Sequence, residues 1–227
     1  MRPKRISIII PALDEAETLP WLLGDLQVLR RRGHEVLVVD GGSRDSTIAI
    51  AQADADRVIE APKGRAIQLN QGACAASGEV LWFLHADSRI SPESVDAIEA
   101  HCNASRPWGR FDVRLSGGAW VFRVIERMMN LRSCLTGIAT GDQGIFVLRE
   151  VFDRIDGVPA IALMEDVALS HRLRRLSRPV CVHAPRLQTS SRRWEQSGIL
   201  RTVWLMWRLR LAYTLGASPD ELAARYR

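Results

Sequence analysis

Three short apolar runs in this chain each end in acid. Residues 6–10 lead into Pro11-Ala12-Leu13-Asp14-Glu15, residues 36–39 into Asp40-Gly41-Gly42-Ser43, and residues 80–84 into His85-Ala86-Asp87. Carboxylates brought to one rim repel one another unless a cation or a donor-rich ligand sits among them. His85 and Asp87, two positions apart, could hold a metal ion. Each acid also has an ordinary use, Asp14 as a helix cap, Asp40 in a turn and Asp87 at a solvated strand end. Further on, Glu165-Asp166 stands at the start of a helix-like segment, where acids commonly complement the helix dipole. Gly141-Asp142-Gln143-Gly144 has the composition of a turn.

The elements that must carry these residues alternate in type. β-branched runs at 6–10, 36–39, near 58 and at 80–84 are separated by helical patterns at about 15–32, after Asp45 and at 66–76, a rhythm that predicts βαβ units and a mostly parallel sheet. Ligands of such sheets collect beyond the carboxyl ends of the strands, where the acids are. Asp14-x-x-Glu17 reads as a capping box, Ser91-Pro92 as a cap before proline, and Ser218-Pro219-Asp220-Glu221 as both. From about residue 108 the alternation fails. An amphipathic helix at 120–131, a strand at 144–148, a helix at 167–176 and a strand at 179–183 form an elaboration on the first half. Trp21, Trp82, Trp108 and Trp120 are expected in the core, and His101, His171 and His183 in structural roles.

Composition narrows the class. The chain has 227 residues, 47% of them hydrophobic, and Lys plus Arg exceeds Asp plus Glu by 31 − 26 = +5. The excess favours anionic partners, but no basic block marks a nucleic-acid site. Cys74, Cys102, Cys134 and Cys181 lie far apart without a C-x-x-C pair, so buried reduced thiols in a cytosolic protein are expected. The apolar run after the basic start stops at Pro11, which excludes a signal peptide, and no stretch reaches the ~20 apolar residues of a membrane span. Neither G-x-G-x-x-G nor G-x-x-x-x-G-K-[ST] occurs.

The stretches SIIIPALDEAETL, VLVVDGGSRDST, KGRAIQLNQGACAASGEVLWFLHADSRI, GDQGIFV, MEDVALSHRL and SSRRW follow in that order over most of the chain. Together they resemble the family 2 glycosyltransferases, and among these the group called radical-SAM/selenodomain-associated transferases. The resemblance implies an α/β fold of GT-A type, a mostly parallel nucleotide-binding sheet flanked by helices with an elaborated C-terminal half. It implies one domain over 1–227, with a nucleotide-binding half at 1–90, an acceptor and catalytic half at 91–195 and C-terminal helices at 196–227. The implied reaction is inverting transfer of a sugar from a nucleoside diphosphate donor, expected to be a uridine diphosphate sugar, to an acceptor hydroxyl, with Mn or Mg as cofactor.

Roles follow from the same resemblance. Pro11, Glu15 and Asp40 fall where the family contacts base and ribose, and Arg65 in the segment that approaches base or phosphate. Asp87 matches the last aspartate of the metal-binding D-x-D motif, with His85 at its first position. Asp166, beside Glu165, matches the general base, Asp142 and Gln143 lie near the sugar, and Arg193-Trp194 resembles the end of Q-x-x-R-W. His85 replaces an acid, Asp14 stands where asparagine is commoner, and Ser190 replaces the glutamine, which speaks against a processive polymerase. A sugar nucleotidyltransferase is the rival enzyme, and an inactive nucleotide-binding module the non-catalytic alternative. Residues 198–215 place Leu200, Val203, Trp204, Trp207, Leu211 and Leu215 on one face with Arg201, Arg208 and Arg210 at its edges. Packing against the domain is the expectation, with peripheral membrane contact and a lipid-linked acceptor at the inner membrane face as the alternative.

Overall fold

A computed structural model describes residues 4–226, with all their side chains except those of 193, 196, 197, 200, 225 and 226. The first half runs β1 (Ile6–Ala12), α1 (Leu19–Arg31), β2 (Glu35–Asp40), α2 (Thr47–Asp54), β3 (Arg57–Glu60), α3 (Arg65–Ala75) and β4 (Val80–Phe83). Then follow α4 (Glu93–His101), β5 (Trp108–Leu115), α5 (Trp120–Thr136), β6 (Phe146–Leu148), α6 (Arg149–Arg154), α7 (Glu165–Arg174), β7 (Val180–Thr189), α8 (Arg192–Ser197), α9 (Ile199–Thr214) and α10 (Pro219–Tyr226).

The seven strands form one sheet in the order β3-β2-β1-β4-β6-β5-β7. β1, β2 and β4 are buried at nearly every position, as continuous apolar runs require when helices cover both faces of a parallel sheet. The chain leaves β1 towards β2 and β3, then returns to place β4 on the other side of β1. This reversal opens a crevice at the carboxyl ends of β1 and β4. β6 is antiparallel to both β4 and β5. Its direction matters to the site, because it brings residues 141–145 back to the carboxyl end of β4.

Several expectations need correction. α1 begins at Leu19 with proline in its first turn, not at 15, and its cap residue Thr18 makes no side-chain hydrogen bond to the helix's own backbone. The Asp14 carboxylate instead accepts from Arg44 N at 2.7 Å, while Asp14 N donates to Ser43 Oγ at 2.9 Å. Asp14 therefore ties two rim loops together and adopts φ 54°, a left-handed conformation that aspartate tolerates better than most residues. Trp82 and Trp108 are fully buried as expected, but Trp21 and Trp120 are exposed. Cys134 of α5 and Cys181 of β7 form a disulfide, their Cα atoms 6.0 Å apart, and Cys74 is exposed. Only Cys102 is a buried free thiol, and burial pushes it up to about 11.

Candidate active site

The crevice is lined by Pro11 after the core of β1, Arg65 at the start of α3, His85 after β4, Gly141 before β6, and Glu165 and Asp166 at the start of α7. Arg65 Nη1 donates to Glu165 Oε1 at 3.2 Å across a hundred residues of sequence. Burial works against the Arg65 charge, but Glu165, Asp166 and Asp142 outweigh it and hold the guanidinium more firmly protonated. Glu165 is 3% exposed. Burial, then the charge of Asp166, push its carboxyl above the usual range, with Arg65 opposing.

Asp166 is fixed at both oxygens. Gly141 N donates to Oδ2 at 2.8 Å and Val167 N donates to Oδ1 at 2.7 Å, so two backbone donors orient the carboxylate. Met164, two residues earlier, adopts φ 67°. A non-glycine residue rarely takes this conformation, and its cost of about 1–3 kcal/mol persists only where the surroundings enforce it. The strain turns the chain sharply into α7 and delivers Glu165 and Asp166 to the crevice.

Gly141 serves His85 as well. A Cβ there would lie 2.2 Å from His85 Nε2, so only glycine lets the imidazole pack against the turn. His85 Nδ1 lies 3.2 Å from Asp142 Oδ1, and its buried Nε2 has no hydrogen-bond partner among the described residues. Asp87 is half-buried. Burial pushes its carboxyl up, as does the charge of Asp142, while His85 pulls it down.

Other expected site residues make hydrogen bonds within the protein. Asp40 is buried, and its Oδ2 accepts from Gly42 N at 2.8 Å and Ser43 N at 2.9 Å, with Ser43 Oγ donating to Oδ1. Glu15 Oε2 accepts from Thr18 Oγ1 at 2.7 Å. Gln143 lies inside its turn, accepting from Thr140 N at 3.2 Å and donating to Ser133 Oγ at 2.8 Å, and does not reach the crevice. Trp194 packs against Leu115, Phe122 and Ile125, away from it, and the Arg193 side chain lies outside the described residues.

Two arginines escaped the sequence reading of the site. Arg132 of α5 and Arg210 of α9 are half-buried and sense the charge of Asp166. Burial, then the charge of Arg210, lower Arg132 to about 10, and burial lowers Arg210 against the pull of Asp166 and Asp142. Arg132 Nη1 donates to Ile138 O at 3.2 Å, while its buried Nη2 has no partner among the described residues. In sequence Arg210 reads as the edge of an amphipathic helix, and nothing signals that it turns towards Asp166.

The family model for glycosyl transferase family 2 matches residues 7–147, which include Pro11, Arg65, His85 and Gly141 of the crevice and end before Glu165 and Asp166. The chain belongs to glycosyltransferase family 2. An uncharacterized glycosyltransferase of Mycobacterium tuberculosis is 31% identical over 122 residues, 49% of this chain and 47% of that one. An undecaprenyl-phosphate 4-deoxy-4-formamido-L-arabinose transferase of Pseudomonas aeruginosa is 30% identical over 154 residues, 61% of this chain and 44% of the relative. This family 2 chain spans about half the length of the curated relatives it matches. Glucosyl-3-phosphoglycerate synthase from Mycobacterium tuberculosis, solved with Mn2+, uridine diphosphate and phosphoglyceric acid, shares the fold. It superposes with a TM-score of 0.65 at 19% identity, covering 94% of this chain and 79% of that one. The α/β GT-A architecture expected of a family 2 glycosyltransferase is thus the architecture found.

Proposed function

We propose that this family 2 glycosyltransferase moves a sugar, with inversion, from a uridine diphosphate donor to an acceptor oxygen, and that Asp166 is the general base. The observation that carries the reading is the crevice itself. One guanidinium, one imidazole and two adjacent carboxylates from three separate segments converge where the strand order reverses. Arg65 faces the donor diphosphate. Asp166 takes the proton from the acceptor as it attacks the sugar from the side opposite the leaving group, a contribution of typically ~10²–10⁴-fold. Its two backbone donors hold it in place for that transfer.

A divalent metal fits the residues present. Asp87 is a desolvated carboxyl near a second carboxylate, Asp142, and the buried Nε2 of His85 has no partner among the described residues. Among the described residues no group of three or more His, Cys, Asp or Glu side chains is placed to hold a metal, so donor oxygens would have to complete the coordination. Asp87 would hold the ion, with His85 or Asp142 beside it. Bound there, a divalent ion would supply neutralisation of the charge that develops on the departing diphosphate. The structural relative solved with Mn2+ and uridine diphosphate supports this choice of ion and nucleotide.

Arg132 and Arg210 favour an acceptor that carries negative charge, since both lie near Asp166. The undecaprenyl-phosphate transferase among the relatives supports a lipid-linked acceptor at a membrane surface. The donor half of the reading is tested by thermal shift with uridine diphosphate, with and without Mn, because a ligand that binds only the native state raises Tm. The expected result is a Mn-dependent rise that Asp87→Asn abolishes and His85→Ala weakens less. Undiminished Mn-dependent binding in Asp87→Asn would contradict it.

A further inference from the structure

α5 turns a mixed side to the protein, with Glu126, Asn130 and Ser133 buried beside Phe122 and Ile125. β6 pairs with β5 only at Trp108 and Gly109, which leaves backbone groups of Val113 and Leu115 open on that side. Buried backbone groups need partners. Asn130 supplies them to Val113, accepting from its N at 2.9 Å and donating to its O at 3.0 Å, and Glu126 Oε1 accepts from Leu115 N at 2.6 Å. The apolar stripe of the helix is therefore turned outward. Trp120, Val124, Met128, Leu131 and Leu135 recur at helical spacing and are between 46% and 77% exposed.

α9 repeats the pattern. Leu209 packs inward with Leu205, Ala212 and Tyr213, while Trp204, Trp207 and Leu211 are each more than 60% exposed. The flank bearing Ile199 and Val203 joins Phe122 and Ile125 of α5 in one buried cluster. Near the other ends of the helices, Arg210 adds to the field at Arg132. The helices thus run side by side in the same sense, and at 100° per residue both outward stripes point to the same surface. The expectation that residues 198–215 either pack or stay exposed resolves into both, one side of α9 packed and the other open.

The exposed charges of the two helices themselves have one sign. α9 contains no acid, the only acid of α5 is the buried Glu126, and the exposed charges are Arg127, Arg201 and Arg208. Arg208 stacks 5.1 Å from the centre of the Trp204 ring. A second copy on a two-fold axis would set these arginines against themselves. Tryptophan beside arginine suits a bilayer interface, where the ring lies among headgroups and the cation meets lipid phosphate.

We propose that α5 and α9 form one face that lies in the interface of an anionic membrane. The face stands on the outward stripes alone and goes beyond the sugar-transfer reading. No helix among the described residues is long and apolar enough to cross a bilayer, so the contact is lateral.

Flotation tests it, with vesicles of phosphatidylcholine alone and of equal parts phosphatidylcholine and phosphatidylglycerol, at low salt, where attraction is least screened. The protein is expected to float with the anionic vesicles only. Arg127→Gln and Arg201→Gln should each weaken partitioning about fivefold. Trp207→Ser combined with Leu131→Ser should abolish it without lowering Tm. Wild-type protein left unbound at low salt would overturn the proposal, as would flotation unchanged by the paired substitution. Loss of a dimer in that variant, with no vesicle binding by the wild type, would assign the face to a second copy instead. Uridine diphosphate binding, followed in parallel, reports separately on the donor site.

Discussion

α1 and α5 carry similar amphipathic spacing and use it in opposite ways. α1 sets Leu19, Leu22, Leu23, Leu26 and Leu29 against the sheet, all fully buried. α5 sets Glu126, Asn130 and Ser133 inward beside Phe122 and Ile125, and leaves its longer apolar stripe in the open. The difference lies in the strands beneath. β1 and β2 are paired along their lengths and offer α1 only side chains, whereas β5 presents unpaired backbone that α5 must satisfy. Helical periodicity fixes which residues share a face, and the neighbouring strand decides which face turns in.

The comparison can be broken by substitution, followed by denaturant melts. Leu26→Ala should cost about 2–5 kcal/mol, as a large side chain lost from a close-packed site. Asn130→Ala should cost about 1–3 kcal/mol, because both backbone groups of Val113 lose their partner in a buried place. Leu131→Ser, on the outward stripe, should change stability by less than about 0.5 kcal/mol. A loss at Leu131 as large as that at Leu26 would mean that the stripe is packed and that the contrast between the helices is wrong.

The same contrast explains what the sequence could disclose. Alternation of β-branched runs with helices reveals the parallel sheet, since strands buried on both faces read as continuous apolar runs. His85 stands at one of the strand ends so marked, whereas Pro11, Arg65 and Asp166 are legible as candidates only through the resemblance to the family 2 glycosyltransferases. Asp40 and Gln143 also make hydrogen bonds within their own loops, which no spacing in the sequence reveals. Arg132 and Arg210 stayed hidden because their roles depend on the packing of α9 beside α5. The Cys134–Cys181 pairing was hidden likewise, as separation along the chain says little about closeness in the fold.

The most direct measurement of the central claim follows Asp166→Asn through two steps, donor binding and sugar transfer, with a labelled uridine diphosphate sugar and a membrane extract supplying acceptor. The substitution keeps the shape of the side chain and removes its basicity. Donor binding is predicted to stay within about twofold of the wild type while transfer falls ~10²–10⁴-fold. Near-normal transfer by Asp166→Asn would contradict the account and return the residue to the ordinary work of an acid in the first turn of α7.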